Sequence, residues 1–166
     1  MKMDSKQSEL RSHRCCFTGH RPQYLKRPQE EIQADLEKAI YRAVQEGYTT
    51  FITGMARGVD IMAGEIVCRL KDRYPHLKLV AAVPFAGFED LWGPYWKARY
   101  EALLKNADYV KYLSSGYSEG VFEVRNHWMV DRSAKVIAVF NGRRSGTMST
   151  IRYAQERHVP VEYLAG

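Results

Sequence analysis

No stretch of this chain stays apolar for the ~18–20 residues that a membrane-spanning helix needs, so no membrane partner is expected. Cysteine is scarce: Cys15, Cys16 and Cys68 are the three, too few and too poorly spaced for a disulfide framework. His13, Cys15 and His20 lack the CxxC or HxxxH spacing of a metal site, and no metal is expected. Neighbouring Cys15 and Cys16 read instead as thiols on opposite faces of a buried strand. A GxGxxG segment is absent, which argues against dinucleotide binding in its usual mode. Internal repeats, low-complexity segments, interdomain linkers and hairpin signals between adjacent strands are absent too.

What is present is ordinary for a globular chain of 166 residues, 45% hydrophobic and 27% charged, long enough for one domain with its own core. The first residues are polar and lack the apolar centre of a signal peptide. Residues 1–13 are therefore expected as a flexible polar tail, 14–166 as the folded domain, and the cytoplasm as its location. The net charge of +6 suits an anionic ligand, a nucleotide or nucleic acid, as well as a plainly solvated basic surface.

Short β-prone runs alternate with helical runs along the chain. Strands are expected at 15–18, 49–53, 77–83, 108–113, 135–140 and 161–164. Helices are expected at 29–46, from the glycine turn near 60 toward the Tyr74-Pro75 break, then at 88–106, 121–132 and 148–157. That alternation predicts an α/β fold: a single-domain Rossmann-like three-layer sandwich with a mostly parallel central sheet.

In such a sheet, ligands sit beyond the carboxyl ends of the strands, where the strand order reverses. The strand-ending loops are Thr18-Gly19-His20-Arg21, Gly54-Met55-Ala56-Arg57-Gly58-Val59-Asp60, Pro84-Phe85-Ala86 and 141–147. They combine glycines, hydroxyls (Thr18, Thr53, Ser145, Thr147) and cations (Arg21, Arg57, Arg143, Arg144) beside helix starts, where unpaired N–H groups attract phosphate. Asp60 also reads as a helix-start carboxylate favoured by the dipole. His20 and His127 also read as ordinary histidines, and the aromatic run from Trp92 to Tyr100 as core before stacking platform.

The segment 54–60 resembles the G-x-A-x-G-I-D stretch of the DNA-processing family DprA/Smf. Arg125-Asn126-His127-Trp128-Met129, followed by a strand and Ser145-Gly146-Thr147, resembles both DprA (R-N-R, then S-G-S/T) and the LOG nucleotide phosphoribohydrolases (R-K-x-x-M, then P-G-G-x-G-T-x-x-E). Both belong to the SLOG superfamily of Rossmann-like domains. The opening Phe17-Thr18-Gly19-His20-Arg21-Pro22 and the single-domain length look most like its YpsA-like branch.

The resemblance implies a site for a nucleotide or nucleotide-derived ligand, an NAD or ADP-ribose-type molecule included. Thr18, Gly19, His20, Arg21, Gly54, Ala56, Arg57, Gly58, Asp60, Pro84, Arg125, Asn126, Asn141, Gly142, Ser145, Gly146 and Thr147 would form it. Arg125 would lie nearest the sugar or phosphate, Asn126 would orient it, and 145–147 would cap a phosphate at a helix start. The LOG pattern ends in a carboxylate that stabilises the oxocarbenium-like centre of N-glycosidic cleavage, and here Thr150 stands in that place. No catalytic residue is therefore assigned, with Arg125 and Asp60 the candidates. Three readings stay open: a nucleotide sensor or regulator, a hydrolase of the base–ribose bond, and a single-stranded nucleic-acid binder using Arg57, Arg143, Arg144 and the aromatic stretch. A homo-oligomer paired through Trp92, Tyr95 and Trp96 is a further expectation.

Overall fold

The computed structural model describes residues 5–166. Of the expected tail, residues 1–4 lie outside the described residues. The rest forms α1 (Ser5–Ser12), which buries none of its side chains. From there the chain alternates: β1 (Arg14–Gly19), a 3-10 turn (Pro22–Tyr24), α2 (Gln29–Gln45), β2 (Thr50–Thr53), α3 (Val59–Leu70), β3 (Lys78–Val83), α4 (Pro94–Asn106), β4 (Tyr109–Tyr112), α5 (Val121–Asp131), β5 (Lys135–Phe140), α6 (Gly146–Glu156) and β6 (Val161–Ala165).

All the strand pairings are parallel, and the six strands lie in the order β4-β3-β2-β1-β5-β6. Because side chains alternate across a strand, neighbours in sequence feed two different cores. Cys15, Phe17, Phe51 and Ile137 pack with Ile32, Leu36, Ile61 and Leu103 of α2, α3 and α4. Cys16, Ile52, Val136 and Ala138 pack with Met129, Val130, Ile151 and Ala154 of α5 and α6. Helices thus cover both faces, which gives the three-layer Rossmann-like sandwich and explains the near-continuous apolar strands.

Three helices begin or end away from the sequence expectation. α3 stops at Leu70, short of the Tyr74-Pro75 break, and 71–77 turn loosely into β3. α4 begins at Pro94 because proline fits the first helical position, and residues 84–93 form turns instead. α6 begins at Gly146, two residues ahead of Met148. The last two differences matter, since they decide what the loops above the sheet present. No helix among the described residues is long and apolar enough to cross a membrane.

The aromatic run divides by position. Tyr100 is core, Trp92 packs edge-on against it at 5.3 Å, and Trp96 packs on the core under the Arg99 guanidinium, 4.4 Å from its ring. Tyr95 stays 61% exposed, so these rings do not form one open apolar face.

Candidate functional site

From β1 the chain builds outward through β2, β3 and β4, then returns so that β5 pairs with the other side of β1. The loops leaving β1 and β5 must diverge there, and a crevice opens between them. It is a cleft of about 370 Å³ walled by the loop after β1, the turn into α3, the first turns of α5 and the start of α6.

One wall is buried. The turn from β2 into α3 is held from within: Thr53 Oγ1 donates to the Asp60 carbonyl at 2.7 Å and accepts the Met55 N–H at 3.3 Å. Met55 has φ 62°, a left-handed conformation costly for a residue with a side chain, and Gly58 has φ 92° at the helix cap. The turn so formed brings the Asp60 carboxylate back over its own backbone, where Oδ2 accepts the Ala56 N–H at 3.2 Å. Arg125, from the first turns of α5, enters the same place. Its Nη1 donates to the Gly54 carbonyl, and its Nε donates to Asn126 Oδ1 at 2.8 Å. Only a glycine permits this: a Cβ at position 54 would lie 2.9 Å from both Arg125 Nη1 and Asp60 Oδ2.

Asp60 and Arg125 are each 6% exposed. Burial pushes the Asp60 carboxyl up to about 6, against the pull of the Arg125 charge and the Ala56 N–H. Burial likewise lowers Arg125, opposed by Asp60 and reinforced by Arg21; the guanidinium stays charged at neutral pH.

The other wall is open. His20 is buried and stacked on Phe140 with ring centroids 5.5 Å apart. Its Nε2 accepts the Asn141 N–H at 3.2 Å, which assigns the proton to Nδ1, 3.3 Å from Ser145 Oγ. Burial, Arg143 and Lys26 all lower its pKa, so His20 is a neutral strut between the two loops. In that tautomer it cannot take a proton from Ser145, which excludes an activated serine in this arrangement. Asn141 also ties the loop down, donating to the Tyr24 carbonyl at 2.9 Å. Arg143 and Arg144 are exposed, with the Arg143 guanidinium 3.8 Å from the Tyr24 ring centroid. Ser145 caps α6 without a side-chain bond to the helix, whose first N–H groups have no acceptor within the helix itself.

Of the residues singled out in sequence, the cleft brings together Thr18, Gly19, His20, Arg21, Ala56, Asp60, Arg125, Asn126, Arg143, Arg144, Ser145, Gly146 and Thr147. Gly54, Gly58 and Asn141 lie behind it as supports; a Cβ on Gly58 would press on Pro22 at 3.0 Å. Arg57, Pro84 and Gly142 are not in the lining, and the Arg57 guanidinium lies over Trp92, 5.4 Å from its ring centroid. Phe17 and Met129, which stand in the quoted motifs, also line the cleft, and Tyr24, Phe88 and Phe122 join them with no sequence signal pointing to them. Phe88 reaches it because 84–93 are turns, and Phe122 because it sits one turn ahead of Arg125. Thr150, where the resemblance implies a carboxylate in LOG proteins, is buried inside α6 with its hydroxyl on the Gly146 carbonyl at 2.8 Å. Among the described residues Asp60 is the one carboxylate in the lining.

A family model described as the YspA SLOG family matches residues 15–163. The chain is 32% identical over 142 residues to the uncharacterized SPbeta prophage-derived protein YoqJ of Bacillus subtilis, covering 78% of this chain and 81% of the relative. It is 30% identical to a UPF0398 protein of Shouchella clausii, covering 81% of this chain and 77% of the relative. Among solved structures it resembles DNA processing protein A from Streptococcus pneumoniae, with TM-score 0.68 and 20% identity. That match spans 95% of this chain but 52% of the neighbour. It also resembles DNA processing protein A from Helicobacter pylori, whose structure is described for its single-stranded DNA binding mode, with TM-score 0.66 and 20% identity over 98% of this chain and 69% of the neighbour. These likenesses show a shared fold, whereas the model match over nearly the whole domain and the 32% relative place the chain by sequence: it belongs to the YspA SLOG family.

Proposed function

We propose that the cleft between the β1 and β5 loops binds a nucleotide or nucleotide-derived small molecule, and that binding rather than turnover is its output, as in a sensor or regulatory protein. The observation that carries this reading is the charge of the lining: Arg21, Arg125, Arg143 and Arg144 against the single carboxylate Asp60, beside the open start of α6. Cations and unpaired helix N–H groups converging on one cleft suit a phosphate group. Phe88, Phe122 and Tyr24 offer ring surface for a base, and the volume of about 370 Å³ is within the range of small-molecule sites. Binding without turnover is favoured by Thr150, which is engaged inside its helix where LOG enzymes would carry a carboxylate.

A second reading, single-stranded nucleic acid as ligand, draws on the fold shared with DNA processing protein A, one structure of which is described for single-stranded DNA binding. Thermal unfolding against nucleotides, NAD, ADP-ribose and a short oligonucleotide separates the two. A small ligand at ~100 times its Kd adds about 2.7 kcal/mol to stability, several degrees in Tm for a domain of this size. A shift with a small ligand recovered intact supports the first reading; a shift with the oligonucleotide alone, falling steeply with salt, supports the second. Recovery of free base from a nucleotide would instead mark a hydrolase.

A further inference from the structure

The buried wall of the cleft holds an unmet hydrogen-bonding demand that phosphate cannot answer. Asp60 Oδ2 is engaged by the Ala56 N–H, but Oδ1 is buried and has no hydrogen-bond partner. Beside it, Arg125 spends Nη1 on the Gly54 carbonyl and Nε on Asn126 Oδ1, and its Nη2 takes part in neither bond. Both residues line the cleft, and both are more than nine-tenths buried. Native proteins rarely leave a buried carboxylate oxygen unpaired. The missing group must donate a hydrogen bond to a carboxylate and accept one from a guanidinium. A phosphate oxygen only accepts, and its charge would oppose that of Asp60. A hydroxyl does both.

The open wall has the opposite character. Around the start of α6 the groups offered are Arg143, Arg144, backbone N–H and the Ser145 hydroxyl, with no carboxylate among them. The cleft is therefore polarised, with anion-binding groups on the β5–α6 side and a hydroxyl-binding pair on the β2–α3 side.

We infer that Asp60, together with Arg125, reads a sugar hydroxyl of the ligand, so that the site selects ribonucleotide-type over deoxyribonucleotide-type molecules. This deepens the nucleotide reading above and rests on it. Gly54 belongs to the device, since a side chain there would push Asp60 and Arg125 apart from their present positions. So does Thr53, whose hydroxyl holds the Asp60 backbone at 2.7 Å. Selection follows from the asymmetry of polar burial: a ligand without the hydroxyl closes the site over a carboxylate still lacking its donor, and that penalty falls on the deoxy form alone.

The test is calorimetric titration of the full chain with ADP, GDP, CDP and UDP, each beside its 2′-deoxy and 3′-deoxy counterparts. The expected result is that a ribonucleotide binds on the order of 10- to 100-fold tighter than at least one deoxy counterpart. In Asp60→Asn the amide presents a donor where the carboxylate accepted, and the preference should shrink to less than about threefold. Equal affinity of the wild-type chain for ribo and both deoxy forms overturns the inference while leaving the nucleotide site standing. An unchanged preference in a folded Asp60→Asn overturns it as well. If none of the nucleotides binds, the nucleotide reading falls and takes the inference with it. Should Asp60→Asn not fold, the wild-type series decides alone.

Discussion

Two strand-to-helix turns face each other across the cleft, and they solve the same geometric problem in opposite ways. The β2–α3 turn is turned inward: Thr53, Gly54, Met55 and Asp60 are buried, and the groups named above bond chiefly to one another. The β5–α6 turn is turned outward: Gly142, Arg143, Arg144 and Gly146 are exposed, and its ties to the body run through Asn141 and the neutral His20. The same glycine-bearing pattern thus serves as scaffold on one side and as reach on the other. Burial decides which. A guanidinium inside, such as Arg125, is anchored through Nη1 and Nε and holds the site's shape, whereas Arg143, stacked on Tyr24, and Arg144 are exposed at the mouth of the cleft.

By that division, Arg125→Ala should be the most damaging change at the cleft, removing the partner of the Gly54 carbonyl and leaving Asp60 buried without a nearby cation. A loss of about 3 kcal/mol or more is expected in denaturant unfolding. A loss under about 1 kcal/mol would mean the inner turn is no scaffold.

The pH dependence of the two turns should run in opposite senses. Asp60 is raised to about 6 in the folded chain against an unfolded value of 3.8, so the native state holds its proton more tightly and stability falls as pH rises through that window. The penalty is fully present above about pH 6 and amounts to ~3 kcal/mol at 1.36 kcal/mol per unit. Asp60→Asn should remove that slope, giving a chain more stable than wild type at pH 7 with the advantage vanishing near pH 4. His20 is lowered below its usual 6.5, so its contribution is present above 6.5 and is lost as pH falls through the folded value. His20→Gln should flatten that acid-side loss, leaving the Asp60 slope alone.

Alanine at the two glycines sharpens the contrast further. Gly54→Ala, with its Cβ 2.9 Å from two buried charged atoms, should cost about 1–3 kcal/mol of stability and disturb binding. Gly142→Ala meets nothing within 4 Å and suffers only from φ 88°, so about 1 kcal/mol is expected. The smallest effect on folding belongs to Arg144→Ala, within ~0.5 kcal/mol, and Arg143→Ala adds only the loss of its stacking on Tyr24, about 0.5–1 kcal/mol. Both should nevertheless weaken ligand binding, which separates reach from scaffold in one titration.

Much of this was legible from residue order. The strand expected at 135–140 is β5 as observed, and Cys15 and Cys16 do point into different cores. Gly54, Gly58 and Asp60 mark a real turn into a helix. Other features were not legible, because they depend on what meets in space. Nothing local says that Arg125 donates to a carbonyl 71 residues away, or that His20 joins a loop 121 residues on. Phe88 looked helical by its neighbours, and only the late start of α4 at Pro94 frees it to line the cleft.

The sequence by itself determined the alternation of elements, the buried faces of the strands and the places where the chain must turn, since these follow from short-range sterics and from apolar periodicity. Only the tertiary structure decided that β5 pairs beside β1, which opens the cleft at that junction. It alone decided that Asp60 lies in the cleft wall with an oxygen unpaired. Charge and hydrogen-bonding capacity belong to residue types, but burial, which sets their strength and their partners, is a property of the assembled layers.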